Sequence, residues 1–396
     1  MNHYISPFEA HHDAFDNTLC GSKRQRRHLA KLEEVEQHVG FQTRVGAGRV
    51  LPGERVSRAL NRLQMQAIRS CIRHVISLGV EDKPATQREM EIVKYSTRHG
   101  LICHYSSDEV IGESLKRYGE WAEQELYLLS TFIPRGGWVV DVGANVGTHA
   151  LAFSRLVGSK GQVIAIDGQE KAFELLLLNR FLNRRENLTC LHAIVGRRND
   201  ICVLPRQPNG IVKNLASCCF YHPGTRPSAM AALRTPVLMI ALDCLELQKC
   251  DLLKIDVEEM ELDVLKGAGR TIERHRPIVY FEQQMEHSFQ EILGFFEDIS
   301  YKLFWHMAQP FNQNNFRGCR ENIFGGTREP NILARPKERT SANIPSEITL
   351  QEITGREYAP PERVSVGSSW SLPENAYQDL PQKSTMRPCE VLGNHC

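Results

Sequence analysis

The chain has 396 residues, and its 48 basic and 47 acidic side chains leave a formal net charge of +1. The hydrophobic fraction of 41% and the charged fraction of 24% are typical of a globular protein. No apolar run reaches the roughly 18 residues that a membrane-spanning helix needs, and the balanced charge argues against nucleic acid as an electrostatic partner.

The first zone, residues 1–95, is polar and rich in Arg and His. Within it, residues 60–79 carry apolar side chains at helical spacing, which predicts one amphipathic helix. The Arg-rich run KRQRRHLAKLEEVEQ is interpreted as a solvated helix face. We therefore expect a polar, partly helical N-terminal extension.

Cysteine usage and the start of the chain bear on its location. The twelve cysteines are scattered without a CxxC pair, and the opening MNHYISPFEAHHDAF lacks the apolar stretch of a signal peptide. This pattern is typical of free thiols in a reducing compartment. The sequence predicts a cytoplasmic protein.

The middle zone, residues 96–336, alternates strand-like and helix-like segments. Apolar β-branched runs predict strands, and apolar residues at helical spacing predict the helices between them. The expected strands are 138–142, 162–167, 188–191, 251–257, 277–283, 301–306 and 330–335, and the clearest helices are 148–157, 171–182 and 289–298. Strands separated by helices imply an α/β, doubly wound, mostly parallel sheet with both faces covered.

The last zone, residues 337–396, is dominated by Pro, Ser, Glu and Thr and has few apolar residues. Such a composition predicts a low-order C-terminal tail. We expect its removal to change thermal stability little.

The strongest local signal is VVDVGANVGTHALAF. A buried strand ends at Asp141, and Gly143 and Gly147 then turn the chain into a helix. Backbone without a Cβ approaches a ligand closely, and the start of the helix offers free N–H groups. Such turns bind dinucleotides and also S-adenosylmethionine.

Three features favour S-adenosylmethionine over other nucleotides, and a fourth, the ribose acid Asp167, fits dinucleotides as well. Asn145 occupies the position of the middle glycine in GxGxxG, and Asp141 suits the ammonium of a methionine moiety but not a pyrophosphate. No GxxxxGK[ST] loop is present, which argues against ATP or GTP chemistry. Asp167 ends the second strand, where a carboxylate can accept hydrogen bonds from ribose hydroxyls.

A second group of carboxylates follows later strands. Asp256 and Glu282 stand at strand ends, and Glu258 stands at the start of the next helix. Ligands of open α/β sheets bind outside the carboxyl ends of the strands, so these acids should border the same crevice as Asp141 and Asp167. Alternatively, Glu258 is only a favourable charge at a helix start, and Asp256 is structural. A buried unpaired carboxylate is costly, so Asp256 must have partners.

Several of these motifs, in this order, resemble the FkbM family of S-adenosylmethionine-dependent methyltransferases. The resemblance rests on VVDVGANVGTHALAFSRLVGSKGQVIAID, KIDVEEMELDVLKGA and YKLFWHMAQPFNQNNFRGCRENIFGG with NILARP. It begins near YGEWAEQELYLL, ends near residue 336, and leaves out residues 1–95 and the tail. It implies a seven-stranded sheet of the class I methyltransferase type, whose last two strands form an antiparallel edge.

The resemblance also implies roles for individual residues. The cofactor loop corresponds to Asp141, Gly143, Asn145 and Gly147. Asp167 corresponds to the ribose acid, Glu125 to an acid near the cofactor, Asp256 and Glu258 to the IDVEG-like motif, and Glu282 to the acid after the next strand.

Two departures from the family pattern stand out. Ile166-Asp167-Gly168 replaces the usual Phe-Glu-Pro, which shortens the ribose acid. Glu259 replaces the glycine after Glu258, so the loop is strained if this position needs a positive φ.

The family implies methyl transfer to a hydroxyl group, often of a sugar or secondary metabolite. A hydroxyl needs a base that removes its proton, and Asp256, Glu282 and His306 are the candidates. Converging acids could instead bind Mg²⁺, although their spacing forms no recognisable metal motif.

The sequence thus predicts an enzyme that uses S-adenosyl-L-methionine to methylate a small-molecule or glycan hydroxyl. It leaves the oligomeric state open. The alternatives are a non-catalytic cofactor-binding scaffold of the same fold and a methyltransferase that acts on a protein. A nicotinamide-dependent oxidoreductase is disfavoured by Asn145 and Asp141, and an RNA substrate by the absence of basic–aromatic patches.

Overall fold

The computed structural model describes residues 91–205, 234–283, 286–339, 344–361, 370–373 and 377. The helix predicted over residues 60–79, and with it the helical N-terminal extension, lies outside the described residues.

The described part begins with a hairpin and two helices. Strands β1 (Ile92–Thr97) and β2 (Gly100–Tyr105) pair antiparallel. Helices α1 (Ile111–Arg117) and α2 (Glu123–Ser130) follow them. Glu125 lies in the first turn of α2 and is buried.

A mostly parallel central sheet organises the rest of the domain. Its elements in chain order are β3 (Trp138–Val142), α3 (Thr148–Val157), β4 (Gln162–Asp167), α4 (Glu170–Leu182), β5 (Leu188–His192), β9 (Leu252–Ile255), α5 (Glu261–Gly267), α6 (Gly269–His275), β10 (Ile278–Glu282), α7 (Glu286–Asp298), β11 (Tyr301–Ala308), β12 (Glu329–Pro336) and β13 (Gln351–Glu352). The strand order is β13-β11-β12-β10-β9-β3-β4-β5. Strands β5, β4, β3, β9 and β10 are parallel, and β12 pairs antiparallel with both β10 and β11.

The expected α/β sheet with an antiparallel edge is therefore present. The strand count differs from the expected seven, because β13 adds an eighth, two-residue strand beside β11. A separate three-stranded sheet, which the sequence analysis did not predict, is formed by β6 (Ile194–Val195), β7 (Asp200–Pro205) and β8 (Arg234–Ile240). A short 3-10 helix, Leu242–Leu245, leads from it towards β9.

The central strands read as continuous apolar runs because both of their faces are covered. Val139 and Leu252 pack into one buried cluster, which includes residues of α3 and α4. Their neighbours Val140 and Leu253 point the other way and pack into a second cluster, which includes residues of α5, α6 and α7. Helices on both faces leave the carboxyl ends of the strands as the place for a ligand.

Part of the C-terminal segment docks on this domain. Ile348, Trp370 and Leu372 are buried in the first cluster. The backbone N–H of Leu372 donates to Asn312 Oδ1 at 2.8 Å, and that of Gln313 donates to the Trp370 carbonyl at 3.2 Å. The prediction of a low-order tail over residues 337–396 is thus wrong for these residues. Apolar residues are sparse there, but these three occupy core positions.

Removal of Trp370 from this core should be costly. Truncation of a buried aromatic side chain to alanine costs about 3–5 kcal/mol because it leaves a cavity. We expect Trp370→Ala, and equally a deletion of residues 344–396, to lower the melting temperature by many degrees in a thermal unfolding scan. Phe181→Ala, at an exposed aromatic side chain, is the control and should lower it much less. An unchanged melting temperature in Trp370→Ala would show that the segment is not docked in solution.

Three cysteines of the described part, Cys103, Cys190 and Cys250, are buried free thiols. Burial raises their pKa values to about 11, about 12 and about 12, so they stay protonated at neutral pH.

Within the described ranges, no helix is long and apolar enough to cross a membrane.

Candidate active site

A cleft lies at the carboxyl ends of β3, β4, β9 and β10. It brings together most of the site residues that were predicted from the sequence: Glu125, Asp141, Gly143, Asn145, Asp167, Asp256, Glu258 and Glu282. Gly147 and His306 do not line it. The cleft also contains polar residues that the sequence analysis did not assign to the site: His149, Lys254, Tyr280, Glu329 and Asn331.

The turn after β3 has an unusual backbone that explains its glycines. Gly143, Asn145 and Gly147 have φ values of 79°, 49° and 90°, in the left-handed region that glycine adopts freely and asparagine tolerates. A Cβ atom on Gly143 would lie 1.8 Å from the backbone oxygen of Asp256. The glycine therefore lets the turn after β3 pack directly against the turn after β9. Gly147 contributes by starting α3 rather than by lining the cleft.

Asp167 holds this turn in place. Its Oδ2 accepts a hydrogen bond from the backbone N–H of Asn145, and its Oδ1 accepts one from the N–H of Gln169, both at 2.8 Å. Burial raises the pKa of Asp167 to about 6. The sequence analysis assigned this acid to a ribose but did not predict that both oxygens already accept backbone hydrogen bonds, one from the glycine turn and one from Gln169.

Asp141 is fully buried, and within the described part of the chain neither of its carboxylate oxygens has a hydrogen-bond partner. Its nearest cation is Lys254, whose Nζ lies 3.8 Å from Oδ1. Burial raises the pKa of Asp141, and the Lys254 charge opposes that rise. Buried polar groups are rarely left without partners, so these oxygens fit a ligand that donates hydrogen bonds.

Replacement of Asp141 should therefore weaken binding of the S-adenosylmethionine donor that the sequence analysis predicts. A hydrogen bond to a charged group contributes about 1.5–3 kcal/mol, so we expect Asp141→Ala to raise the Kd for S-adenosylhomocysteine by roughly 10- to 100-fold. Isothermal titration calorimetry measures this change. Asp200→Ala, at an exposed acid outside the cleft, should bind normally. Wild-type affinity in a folded Asp141→Ala variant would remove Asp141 from the site.

Lys254 was missed by the sequence analysis and is central to the cleft. It lies on β9 in register with Asp141 of β3 on one side and Tyr280 of β10 on the other. Its buried Nζ lies 2.8 Å from Asp256 Oδ2. Charges of Asp256, Asp141 and Glu125 raise its pKa despite the opposing effect of burial, so it remains protonated. The signal was the lysine in LLKID, a polar residue on an otherwise apolar strand.

Asp256 has the partner that its position required. Burial by the cleft walls would raise its pKa, but the Lys254 ammonium outweighs burial and lowers it. About half of the Asp256 side chain surface is exposed, towards the cleft. Asp256 is thus an ionised carboxylate that a bound ligand can reach.

A further group of carboxylates lies in and beside the cleft. Burial and neighbouring carboxylates raise the pKa values of Glu258 and Glu329, and raise that of Glu261 to about 8. Glu282 is one of the charges that raise the pKa values of Glu261 and Glu329. Glu258 lies in the turn before α5, which begins at Glu261, so it is not a helix-start residue. No group of three or more His, Cys, Asp and Glu residues in the described ranges is arranged to hold a metal ion.

His306 stands behind the cleft wall rather than in it. It is buried on β11, and its Nδ1 lies 2.8 Å from the Tyr280 hydroxyl oxygen in a shared hydrogen bond. Burial lowers the pKa of His306 to about 4, so the imidazole is neutral at neutral pH. Of the three base candidates, Asp256 and Glu282 line the cleft, whereas His306 reaches it only through Tyr280.

Comparison with known proteins identifies the domain. The family model described as the methyltransferase FkbM domain matches residues 141–303. Over these residues, which make up less than half of the chain, the sequence is similar to FkbM methyltransferases. The matched residues include the glycine turn, both strand-end acids Asp141 and Asp167, and the Lys254–Asp256 pair, whereas Glu125, His306 and Glu329 lie outside the matched range.

Individual proteins resemble parts of the chain. Over 47 residues it is 40% identical to the Thermoplasma volcanium protein named "Probable cobalt-precorrin-6B C(15)-methyltransferase (decarboxylating)", a match over 12% of this chain and 23% of that protein. Its structure resembles the methyltransferase FkbM of Methylobacillus flagellatus KT, with 15% identity, a TM-score of 0.34 and coverage of 52% of this chain and 47% of the other. An S-adenosylmethionine-dependent O-methyltransferase from Thermotoga maritima shows 14% identity, a TM-score of 0.31 and coverage of 64% and 80%. The chain thus spans about a quarter of the curated relative that it matches.

The departure from the FkbM family pattern at Glu259 has a structural consequence. Glu259 has a φ of 63°, so the position where the family pattern has glycine does require the left-handed region. A residue with a Cβ pays about 1–2 kcal/mol there.

Restoration of the glycine should relieve this strain. We expect Glu259→Gly to raise the free energy of unfolding by up to about 1 kcal/mol, because part of the relief is offset by the extra entropy that glycine loses on folding. Denaturant unfolding measures this quantity. Glu259→Ala, which removes the charge but keeps the Cβ, is the matched control. An equal gain in the free energy of unfolding in Glu259→Gly and Glu259→Ala would show that the charge of Glu259, and not its backbone strain, lowers the stability of the wild type.

Proposed function

We propose that the chain is an S-adenosylmethionine-dependent O-methyltransferase that acts on a hydroxyl group of a small molecule or glycan. The observation that carries this proposal is Asp141, a fully buried carboxylate without hydrogen-bond partners in the described ranges, at the end of the strand that leads into the glycine turn. A methionine ammonium would satisfy its oxygens and compensate its charge. The FkbM domain supports methyl transfer as the reaction class.

The residues of the glycine-turn end fit the methyl donor. Asp141 would receive the ammonium, and Gly143 and Asn145 would present their backbone to the nucleoside. Asp167 would accept a ribose hydroxyl on the lone pairs that its two backbone hydrogen bonds leave free. Glu125, which enters from α2, and Glu258, from the turn before α5, would complete the negative lining around a cationic donor.

The bound donor supplies an electrophilic methyl group on a sulfonium. The chain's own residues would align the acceptor oxygen with this group, hold its proton and exclude water. Asp256 and Glu282 are placed to accept the hydroxyl proton, since both line the cleft. Asp256 is ionised and can accept a proton. Its lowered pKa nevertheless makes it a weaker base than a carboxylate whose pKa lies near neutral pH.

Two measurements test the proposal. Calorimetry with S-adenosylhomocysteine should show binding, and a nicotinamide dinucleotide should show none. Incubation with a donor that carries a deuterated methyl group and a panel of monosaccharides, inositols and phenols should then label one compound by a single methyl group in mass spectrometry. Absence of S-adenosylhomocysteine binding would overturn the proposal as a whole.

A non-catalytic scaffold is a second candidate, because two sites depart from the family pattern. Glu259 imposes backbone strain beside Asp256 and Glu258, and Asp167 is shorter than the usual glutamate. A scaffold would bind S-adenosylhomocysteine but label no compound of the panel. Labelling of a protein in a cell extract, with none of the panel compounds labelled, would instead favour a protein acceptor.

A further inference from the structure

Tyr280 and His306 form a buried pair at the cleft wall that the proposed chemistry does not yet use. Tyr280 lines the cleft and is almost completely buried, and His306 lies behind it at 2.8 Å between Oη and Nδ1. They lie on β10 and β11, which flank β12, and thus belong to the rigid sheet.

The register of the sheet places Tyr280 on the acceptor side. Tyr280 pairs with Lys254, and Lys254 pairs with Asp141. Neighbouring strands are about 4.8 Å apart, so the Tyr280 backbone lies about 10 Å along this row from Asp141. If Asp141 receives the donor's ammonium, Tyr280 stands beyond Lys254 and away from the glycine turn.

The ring nitrogen of His306 that carries the proton determines the direction in which the Tyr280 hydroxyl donates. His306 is neutral, and its Nε2 is buried without a hydrogen-bond partner in the described part of the chain. A proton on Nε2 would create a buried N–H without an acceptor, which is rarer in proteins than an under-satisfied acceptor. The proton therefore belongs on Nδ1, from where it is donated to Tyr280 Oη, and the phenolic O–H is left to donate elsewhere.

The surroundings of Tyr280 make this donor useful. Besides the Lys254 ammonium, its register neighbour, the charges around it include the carboxylates of Glu125, Glu329, Asp256 and Glu282. Burial first, and then these carboxylates, raise the pKa of Tyr280 and keep the phenol protonated. Ionised carboxylates only accept hydrogen bonds, so they suit the hydroxyl protons of an acceptor. A neutral phenol instead supplies a proton to an oxygen lone pair.

We propose that Tyr280 donates a hydrogen bond to a second oxygen of the acceptor, beside the one that is methylated, and that His306 is the positioning residue that turns the Tyr280 hydroxyl into the cleft. The proposal rests on the proposed function and deepens it. It assigns the site to acceptors with two neighbouring oxygens, such as a vicinal diol, rather than to isolated hydroxyl groups.

The first experiment needs no turnover. Nitrogen-15 NMR of the histidine rings, in the wild-type chain with S-adenosylhomocysteine, should show the His306 ring in the form protonated on Nδ1, and the spectrum of His306→Asn assigns the signal. A ring protonated on Nε2 would overturn the proposal, because Tyr280 would then donate its only proton to His306.

The second experiment uses the panel compound that is labelled fastest. Tyr280→Phe should raise its KM roughly tenfold, the effect of one lost hydrogen bond, and leave S-adenosylhomocysteine affinity unchanged. His306→Leu should share that KM effect, whereas its isostere His306→Asn, whose amide can still donate to Tyr280, should retain most of the wild-type value. The double variant Tyr280→Phe/His306→Leu should be no worse than Tyr280→Phe.

Two outcomes of these kinetics would overturn the proposal. One is a wild-type KM in Tyr280→Phe, and the other is an equal loss in His306→Leu and His306→Asn. Failure of the proposed function gives a different result. In that case the wild-type chain either fails to bind S-adenosylhomocysteine or labels none of the panel compounds. The NMR result still decides the orientation of Tyr280 in that case.

Discussion

Replacement of Gly143 by valine is expected to abolish S-adenosylhomocysteine binding. A Cβ at this position would lie 1.8 Å from the backbone oxygen of Asp256, and the φ of 79° is one that residues with a side chain rarely adopt. The variant can relieve the clash only if the turn after β3 moves away from the turn after β9. A misplacement of about 1 Å in an active site can lower the catalytic rate roughly 100-fold, and this displacement separates the glycine turn from Asp256.

The measurement is calorimetry, accompanied by a melting curve that verifies folding. Gly143→Ala introduces the same Cβ with the least added bulk and should show the same loss. Gly294→Ala is the matched control, since a Cβ at Gly294 in α7 meets no atom within 4 Å. Unchanged affinity in a folded Gly143→Val chain would remove the glycine turn from the donor site.

The positions of the glycine turn and its strands could be predicted because several physical signals coincide there. Strand β3, helix α3 and strand β4 have the bounds expected from sequence. Strands covered on both faces give unbroken apolar runs. Polar residues and glycines mark where those runs end, so Asp141, Gly143 and Asp167 could be placed from the sequence.

Contacts across the sheet could not be predicted in this way. In the sequence, Lys254 is a single charged residue on an apolar core strand. Only the register of the sheet shows that it lies between Asp141 and Tyr280. His306 was expected in the site because it ends a late strand, but sequence does not show whether a side chain lines a cleft or lies behind another one. Trp370 lies in a segment whose composition predicts low order, although one buried aromatic residue can dock such a segment.

Asp256 is the residue whose change should most affect the chemistry. It lies at the end of β9, lines the cleft and is held ionised by Lys254 Nζ at 2.8 Å. Asp256→Asn keeps the shape of the side chain but removes its charge. We expect kcat for the labelled acceptor to fall by roughly 10²–10⁴-fold, the usual contribution of a positioned acid–base group, with the melting temperature near that of the wild type.

The pH profile separates a role of Asp256 in catalysis from a merely structural one. Because Lys254 lowers the pKa of Asp256, the wild-type carboxylate stays ionised below the usual aspartate value of about 3.9. In Lys254→Met, the Lys254 ammonium no longer opposes burial, and the pKa of Asp256 should rise. Activity should then be lost on acidification at a higher pH than in the wild type, while Asp256→Asn should show no such limb. Glu282→Gln, which tests the other base candidate in the cleft, should be the milder change. Near-normal methyl transfer by Asp256→Asn would exclude Asp256 as the base and leave Glu282 as the base candidate that lines the cleft.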